Sequence, residues 1–247
     1  MGVVLIVLIA ALISSFLSPD FGLNPASIPT FLGFTLGLVI VLVAFEAPPI
    51  IMRWRRTGEV GRLRGLPWTL VVAAAFVLIS RIFGLQPGYL YGLVLGVTFT
   101  TAASEVQEAR ETVASMLATL VLAVLAWLLL DSVRAGLIAT DDVAGTIVGT
   151  ATAAVVVAGL EAVAFGMLPL RFMPGRVVYS WNRRVWALLF GVGLFAFIQI
   201  LIGPTSGYLA ELSPGAWLAA LGVFALFGAF SLLFWAWFRY RPVKASA

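Results

Sequence analysis

Hydrophobic residues are grouped in eight long runs that are separated by short polar or proline-containing stretches. The runs cover residues 2–17, 31–52, 67–85, 88–103, 113–131, 143–168, 186–203 and 216–238. A helix needs about 20 apolar residues to cross a bilayer, and it must satisfy its backbone polar groups internally there. The pattern therefore predicts an all-α, polytopic transmembrane helix bundle of about eight spans, the first and fourth of them short.

Basic residues fall almost entirely in alternate connections between these runs. Thirteen of the fifteen lie on one predicted side, and the other side holds Arg134 alone; Arg81, inside the third run, completes the count. The thirteen are found in 53–66, at Arg110, in 171–184 and in the C-terminal tail. Because Lys and Arg accumulate in cytoplasmic loops, this bias predicts a multi-pass protein with both termini in the cytoplasm.

Short motifs recur at similar spacing in the two halves of the chain. Glu46-Ala47 returns as Glu161-Ala162, and the tripeptide Gly-Tyr-Leu at 88–90 returns at 207–209. Four predicted spans separate the copies, so both halves would point the same way. This predicts two parallel four-helix repeats in one membrane unit, related by a pseudo-two-fold axis along the membrane normal, with boundaries at 1–112 and 113–247.

Pairs of glycines four residues apart occur in three of the runs. Such pairs let helix backbones approach closely. We interpret them as seams that hold the bundle together internally, rather than as a dimer interface. The pairs are Gly33 with Gly37, Gly92 with Gly96, and Gly145 with Gly149.

Glu46 and Glu161 are the main candidates for a polar site within the membrane. Glu46 precedes Arg53 by seven positions, about 10 Å along a helix, which places its carboxylate below the headgroups. Both glutamates precede prolines (Pro48, Pro49 and Pro169), which are expected to break the helices and free backbone carbonyls. Each glutamate could pair with an arginine of the inner loops and lock a helix end. Alternatively, the two could form an ion or proton site.

Arg81 and Gln199 occupy corresponding positions near the predicted outer ends of their spans. Arg81 could extend its guanidinium outward to the headgroups with no further role. Alternatively, it could face an anion in an outward cavity, with Tyr89 and Tyr91 nearby.

Arginines at the inner ends of the runs form a candidate basic surface. The expected partners are the lipid bilayer and its anionic headgroups, each basic residue contributing about 1 kcal/mol at an anionic surface. A membrane-protein partner or a second copy of the chain is the further alternative, and nucleic acid is not indicated. The residues expected to face lipid or partner are Arg53, Arg55, Arg56, Arg62, Arg64, Arg171, Arg176, Arg183 and Arg184.

The composition of the chain limits the kinds of reaction and binding site that it can support. The chain is 62% hydrophobic and 11% charged, with a mean hydropathy of +1.09, less than half the charge of a soluble domain. It contains no cysteine and no histidine, so disulfides, thiolate metal sites, cysteine nucleophiles and histidine bases are excluded. No HExxH, GxSxG, Walker or GxGxxG motif is present. The sequence predicts no enzyme activity, cofactor or metal.

The run Phe165-Gly166-Met167-Leu168-Pro169 resembles the motif of a group of bacterial FGLLP-motif membrane proteins. The segments at 86–92 and 186–191 also fit that group, and the resemblance covers residues 45–203. Met167 stands where the motif has leucine, a change that keeps the apolar volume. The resemblance implies a bacterial inner-membrane location and the same architecture, and it implies no activity and no catalytic residues.

Two functions follow from these patterns. The leading hypothesis is a membrane anchor or assembly module with an arginine-rich cytoplasmic face. The alternative is a small-molecule or ion carrier that uses the paired glutamates, which requires Glu46 and Glu161 to face one shared cavity.

Overall fold

The computed structural model describes residues 2–18, 20–83, 95–134, 142–171 and 173–202. These ranges are predominantly helical. They contain helices α1 to α7, a π-helical turn at Ile198–Ile202 and strands β1 and β2. In chain order the elements are α1 Val3–Ser15, α2 Ser27–Thr57, β1 Arg62–Gly65, α3 Thr69–Phe83, β2 Leu95–Thr98, α4 Glu105–Arg134, α5 Val143–Gly166, α6 Gly175–Trp181 and α7 Arg183–Phe197.

Four helical segments are long and apolar enough to cross a membrane. They are Ser27–Thr57, Glu105–Leu130, Val143–Gly166 and Arg183–Ile202. The helices at Val3–Ser15 and Thr69–Ile82 are apolar but shorter. The described part of the chain therefore has the helices of a membrane protein, with four candidate spans rather than eight. The eighth predicted run, 216–238, lies outside the described residues.

Helix α5 is the centre of the bundle, and its α2 contact uses glycine. A methyl group added at Gly37 would lie 2.7 Å from the Cβ of Ala154, and one at Gly33 would lie 2.6 Å from the Cβ of Thr150. Because the contacts advance in the same direction along both helices, α2 and α5 run parallel. The prediction of an internal seam is confirmed at Gly33 and Gly37.

The other two predicted glycine pairs do not form such a seam in the described residues. Gly96 lies in strand β2, where a GxxxG helix contact cannot form, and Gly92 lies outside the described ranges. A methyl group at Gly149 would meet no atom within 4 Å. Of the three predicted pairs, the pair on α2 is therefore the one that marks a close helix contact in the described residues.

Helices α4 and α7 cover two further faces of α5. Gly159 faces Ala123 of α4, and a methyl group at Gly193 of α7 would lie 2.6 Å from the Val163 side chain. Both helices run antiparallel to α5. More than half of the α5 residues are consequently buried, and they include Glu161.

The predicted transmembrane span at 88–103 is wrong, because residues 95–98 form strand β2. Residues 95–98 pair antiparallel with β1, with Arg62 opposite Thr98 and Gly65 opposite Leu95. The run is rich in β-branched, aromatic and glycine residues, and a short apolar run of that kind does not distinguish helix from strand by periodicity. Two short strands are therefore added to the predicted all-α fold.

The expected helix break at Pro48 and Pro49 is also corrected. Helix α2 continues through both prolines to Thr57. Each proline lacks the N–H that would bond to a carbonyl of the preceding turn, but its fixed φ is compatible with a helix. The helix ends instead at Gly58, whose φ of 71° is left-handed and whose N–H donates to the Trp54 carbonyl. By contrast, α5 ends at Gly166, ahead of Pro169, as expected.

Helices α1 and α3 lie at the edge of the bundle. α1 packs on α2, and α3 packs on α1. Ile6, near the start of α1, contacts Gly65 just before α3, and Arg81, near the end of α3, bonds to Phe16 just after α1. α1 and α3 therefore run parallel.

The described helices do not support two four-helix repeats. The predicted boundary between residues 112 and 113 falls inside α4, which is continuous from Glu105 to Arg134. The α1–α2–α3 group and the α4–α5–α7 group also differ in contacts, because α3 packs on α1 whereas α7 packs mainly on α5.

Candidate functional site

One end of the bundle collects most of the charged side chains. The last turns of α2 meet the first turns of α4, because Arg53 bonds to Glu111. Helix α4 also packs against α6. Trp186, in the first turn of α7, bonds to the carbonyl of Met167 just after α5. We call this end, where α2 and α5 finish and α4 and α7 begin, the arginine end.

Arg53 and Glu111 form a buried ion pair between α2 and α4. The Arg53 Nε lies 3.0 and 3.1 Å from the two Glu111 carboxylate oxygens, and Nη2 lies 3.0 Å from Oε2. The two side chains are only 10% and 7% exposed. This forked geometry satisfies both carboxylate oxygens at once.

Three further groups complete what we call the Arg53 junction. Nη1 of Arg53 donates to the carbonyl of Thr101 at 2.9 Å, and the ring of Phe99 lies 3.9 Å from its Cζ. Gln107 donates to Glu111 Oε1 at 3.0 Å. Because the pair is buried, removal of one partner would leave an uncompensated charge. Arg53 therefore locks the fold here and is not part of the exposed surface on which the sequence placed it.

Two glutamates of the α2 region hold the segment that contains β2. Glu59 accepts hydrogen bonds from the backbone N–H groups of Thr100 and Thr101 and from the Thr100 hydroxyl, the last at 2.7 Å. These bonds, led by that of the Thr100 side chain, lower the pKa of Glu59 from 4.5 to about 2. Glu46, seven residues before Arg53, hydrogen-bonds with the backbone of Val97.

Glu46 and Glu161 lie on different faces of their helices relative to the α2–α5 contact. Glu161 is 5% exposed and follows Ala154 by seven residues, so it continues the α5 stripe that faces α2. Glu46 follows Gly37 by nine residues, half a turn away from the glycine face of α2. The described residues therefore do not show both carboxylates lining one shared cavity.

The remaining arginines of the predicted basic surface are exposed. Arg183 also lies over the ring of Tyr179, with its Cζ 5.2 Å from the ring centroid. Trp54 and Trp68, which are 60% and 68% exposed, lie beside this set in the chain. The exposed arginines are Arg55, Arg56, Arg62, Arg64, Arg171, Arg176, Arg183 and Arg184.

The connection between α5 and α7 is fixed by packing. Trp186 donates its Nε1–H to the Met167 carbonyl at 2.8 Å and stacks on Phe190. Met167 is fully buried, and its backbone lies so close to Gly175 that a side chain there would collide with it. The Phe-Gly-Met-Leu-Pro motif thus forms a tightly packed helix exit.

Arg81 and Gln199 lie away from the arginine end, and both are exposed. Arg81 donates to the carbonyl of Phe16 at 2.9 Å, one of the carbonyls left without a helical partner at the end of α1. Gln199 lies in the π-helical turn after α7. The described contacts do not bring either residue to Glu46 or Glu161. Tyr89 and Tyr91 lie outside the described residues.

Sequence reasoning missed Glu111, the partner of Arg53. A signal for it exists in the stripe of small polar residues that follows on α4. Ser115 and Thr119 come four and eight residues later, and both are buried. A carboxylate at the head of a buried helical stripe needs a partner, although the stripe alone does not identify Arg53, 58 residues away.

Comparison with protein-family models, curated proteins and solved structures gave no match to this chain.

Proposed function

We propose that the protein is a membrane anchor or assembly module whose exposed arginine end binds the headgroups of anionic phospholipids in the cytoplasmic leaflet. The observation that carries this proposal is the gathering of eight exposed arginines at one end of a bundle of apolar helices. Three separate parts of the chain contribute them: the end of α2, strand β1 and the region from 171 to 184.

The charge balance of this end supports an anionic partner. Glu111 is neutralised by Arg53. Glu46, Glu59, Glu105 and Glu108 keep their charges but are fewer than the eight exposed arginines, so this end has a net positive charge. Arg53 is the one arginine of the predicted surface that is neutralised internally by a carboxylate in the described residues. Guanidinium groups bind phosphate through parallel hydrogen bonds, and exposed tryptophans favour the interface layer of a bilayer.

The test compares the lipid preference of charge variants in nanodiscs. A variant with Arg55, Arg56, Arg62 and Arg64 changed to Gln should lose anionic-lipid preference over phosphatidylcholine by at least tenfold, since each residue contributes about 1 kcal/mol. The matched control changes the same four residues to Lys and should keep most of the preference. The wild-type preference should also fall as the ionic strength rises.

An unchanged lipid preference in the Gln variant would overturn the proposal. If that variant kept its lipid preference but no longer assembled with a purified protein partner, the arginine end would be a protein-binding surface. The carrier alternative has no supporting observation of its own, because the described contacts do not bring Glu46 and Glu161 to one shared cavity.

A further inference from the structure

An apolar cleft lies at the end of the bundle opposite the arginine end. It is shallow and open on one side, with a volume of about 580 Å³. It is formed by the loop that joins α1 to α2 and by the first turns of α2. The lining residues are Phe21, Gly22, Leu23, Asn24, Pro25, Ser27, Ile28 and Phe31.

The wall of this cleft is held by a small hydrogen-bond network. The backbone N–H and the hydroxyl of Ser27 both donate to the Asn24 side-chain oxygen at 3.1 Å, and Gly22 donates to the Ser27 hydroxyl. The polar lining groups are therefore largely engaged with one another. Leu23 and Ile28 remain largely exposed at the mouth. The cleft thus offers an open and mostly apolar surface beside a hydrogen-bonded wall.

Arg81 lies beside the cleft and supplies positive charge. Its Nη1 donates to the Phe16 carbonyl, and the Phe16 ring packs edge-on against the ring of Phe21 with centroids 5.0 Å apart. Phe21 is part of the cleft wall. Phe16 therefore connects the two, since its carbonyl binds the guanidinium and its ring packs on the cleft wall. Only one of its five N–H donors is used by the Phe16 carbonyl, and the side chain is exposed.

The position of Arg81 along α3 favours a polar or anionic partner for its charge. Arg81 follows Thr69 by twelve residues, about 18 Å along the helix axis, and exposed Trp68 precedes the helix. A bilayer hydrocarbon core is about 30 Å thick, so a helix that starts at one interface places Arg81 within the opposite leaflet. A charged group at that depth is stabilised by an anion or by water drawn to it.

We propose that the cleft and Arg81 together bind one anionic phospholipid of the outer leaflet. One acyl chain occupies the cleft between Phe21 and Phe31, and the phosphate accepts hydrogen bonds from the free donors of Arg81. This site is independent of the arginine end, because it lies at the other end of the bundle and shares none of its residues.

The absence of native cysteine allows a local measurement. A fluorophore on Leu23→Cys reports on the mouth of the cleft, and the same fluorophore on Leu36→Cys reports on an exposed α2 position outside it. Phosphatidylglycerol and phosphatidylcholine with brominated acyl chains are titrated separately as quenchers. Both lipids carry a phosphate, but only phosphatidylglycerol has a net negative charge, because the choline ammonium offsets the phosphate of phosphatidylcholine. Phosphatidylglycerol should therefore quench the cleft label at about tenfold lower concentration. The control label should not distinguish the lipids.

Variants then assign the difference to the residues named. Arg81→Gln should abolish the preference for phosphatidylglycerol, Arg81→Lys should keep most of it, and Ile28→Trp should weaken quenching by both lipids by filling the cleft. Neutralising Arg55, Arg56, Arg62 and Arg64 should leave the cleft signal unchanged, which separates this site from the arginine end.

Equal quenching by the two lipids in the parent protein would overturn the proposal, as would a preference that survives Arg81→Gln. A brominated fatty acid that quenches as well as phosphatidylglycerol would replace the phospholipid as the occupant. If Arg81→Gln loses helical circular dichroism, the decision rests on Ile28→Trp: unchanged quenching in that variant would exclude the cleft.

Discussion

Helices α2 and α5 run parallel and side by side, yet they finish in different ways. Gly33 and Gly37 pack against residues that follow them by 114 to 117 positions, and Glu161 follows Glu46 by 115. The two glutamates therefore lie at nearly the same level of the bundle. Beyond the two glutamates the chain takes different structures, although prolines and arginines follow both of them in the sequence.

The end of α2 is attached by charge, whereas the end of α5 is attached by packing. α2 continues through its prolines, and Arg53 then reaches Glu111, Thr101 and Phe99. α5 stops before Pro169, and the bond from Trp186 to the Met167 carbonyl holds the exit. Similar sequence signatures give different structures because the neighbouring elements differ: α4 and β2 for one, α6 and α7 for the other.

The largest expected effect comes from breaking the charged attachment. Arg53→Met leaves the Glu111 carboxylate buried without its partner, and we expect the free energy of unfolding to fall by about 3–5 kcal/mol. Thermal or denaturant unfolding in detergent, followed by circular dichroism, measures it. Arg55→Met, an exposed control two residues later, should change stability by less than about 0.5 kcal/mol.

The double variant Arg53→Met/Glu111→Leu should recover most of the stability lost by Arg53→Met, because apolar side chains of similar volume can replace a buried ion pair. A double variant no more stable than Arg53→Met would show that the contacts to Thr101 and Phe99, rather than the unpaired charge, dominate.

A second test breaks the seam that keeps the two helices in register. In Gly37→Ala the new methyl would lie 2.7 Å from the Ala154 Cβ and 2.8 Å from the Ala151 carbonyl oxygen, so we expect a loss of about 1–3 kcal/mol. Gly149→Ala meets open space and should gain up to about 1 kcal/mol in the same unfolding assay. Equal effects at both glycines would contradict the close approach of α2 and α5.

A third test weakens the packed attachment alone. Trp186→Phe keeps the aromatic contacts but removes the N–H donor to the Met167 carbonyl, and we expect a cost of about 1 kcal/mol. Trp54→Phe is the exposed control and should be nearly neutral. If Trp186→Phe leaves the free energy of unfolding unchanged in the same detergent, this hydrogen bond does not stabilise the fold.

The smallest expected effect is a pH dependence of the β2 segment. The folded pKa of Glu59 is about 2, below its ordinary value of 4.5, so its stabilisation is complete above pH 4.5 and is lost as the pH falls towards 2. Hydrogen exchange at the Thr100 and Thr101 amides should therefore quicken, relative to neighbouring amides, over that window. Glu59→Gln should remove the pH dependence, whereas Glu105→Gln, at the exposed start of α4, should not.

The hydrophobic pattern predicted the long helices well because each segment had to bury an apolar surface and satisfy its own backbone. It failed at 95–98, where the short run Leu-Gly-Val-Thr fits strand as well as helix. It also predicted a helix break at Pro48 and Pro49 that does not occur, because a helix can continue past a missing N–H donor when neighbouring contacts stabilise it.

The sequence predicted where the basic end lies but not which of its arginines is buried. Counting arginines by loop located the basic end, since charge is a local property of sequence. It did not separate Arg53 from Arg55, because burial depends on Glu111, 58 residues further along the chain. Likewise, the pairing of Glu59 with Thr100 depends on strand register that apolar periodicity did not show.

The most direct test of the account measures stability and anionic-lipid preference together on two variants. Arg53→Met breaks the buried pair, and Arg62→Gln/Arg64→Gln alters two exposed arginines on β1. We predict that the first variant lowers the free energy of unfolding by about 3–5 kcal/mol and leaves the lipid preference nearly unchanged. The second should lower the preference for phosphatidylglycerol in nanodiscs by about tenfold or more, with stability nearly unchanged. Loss of lipid preference in the first variant and not in the second would contradict the account.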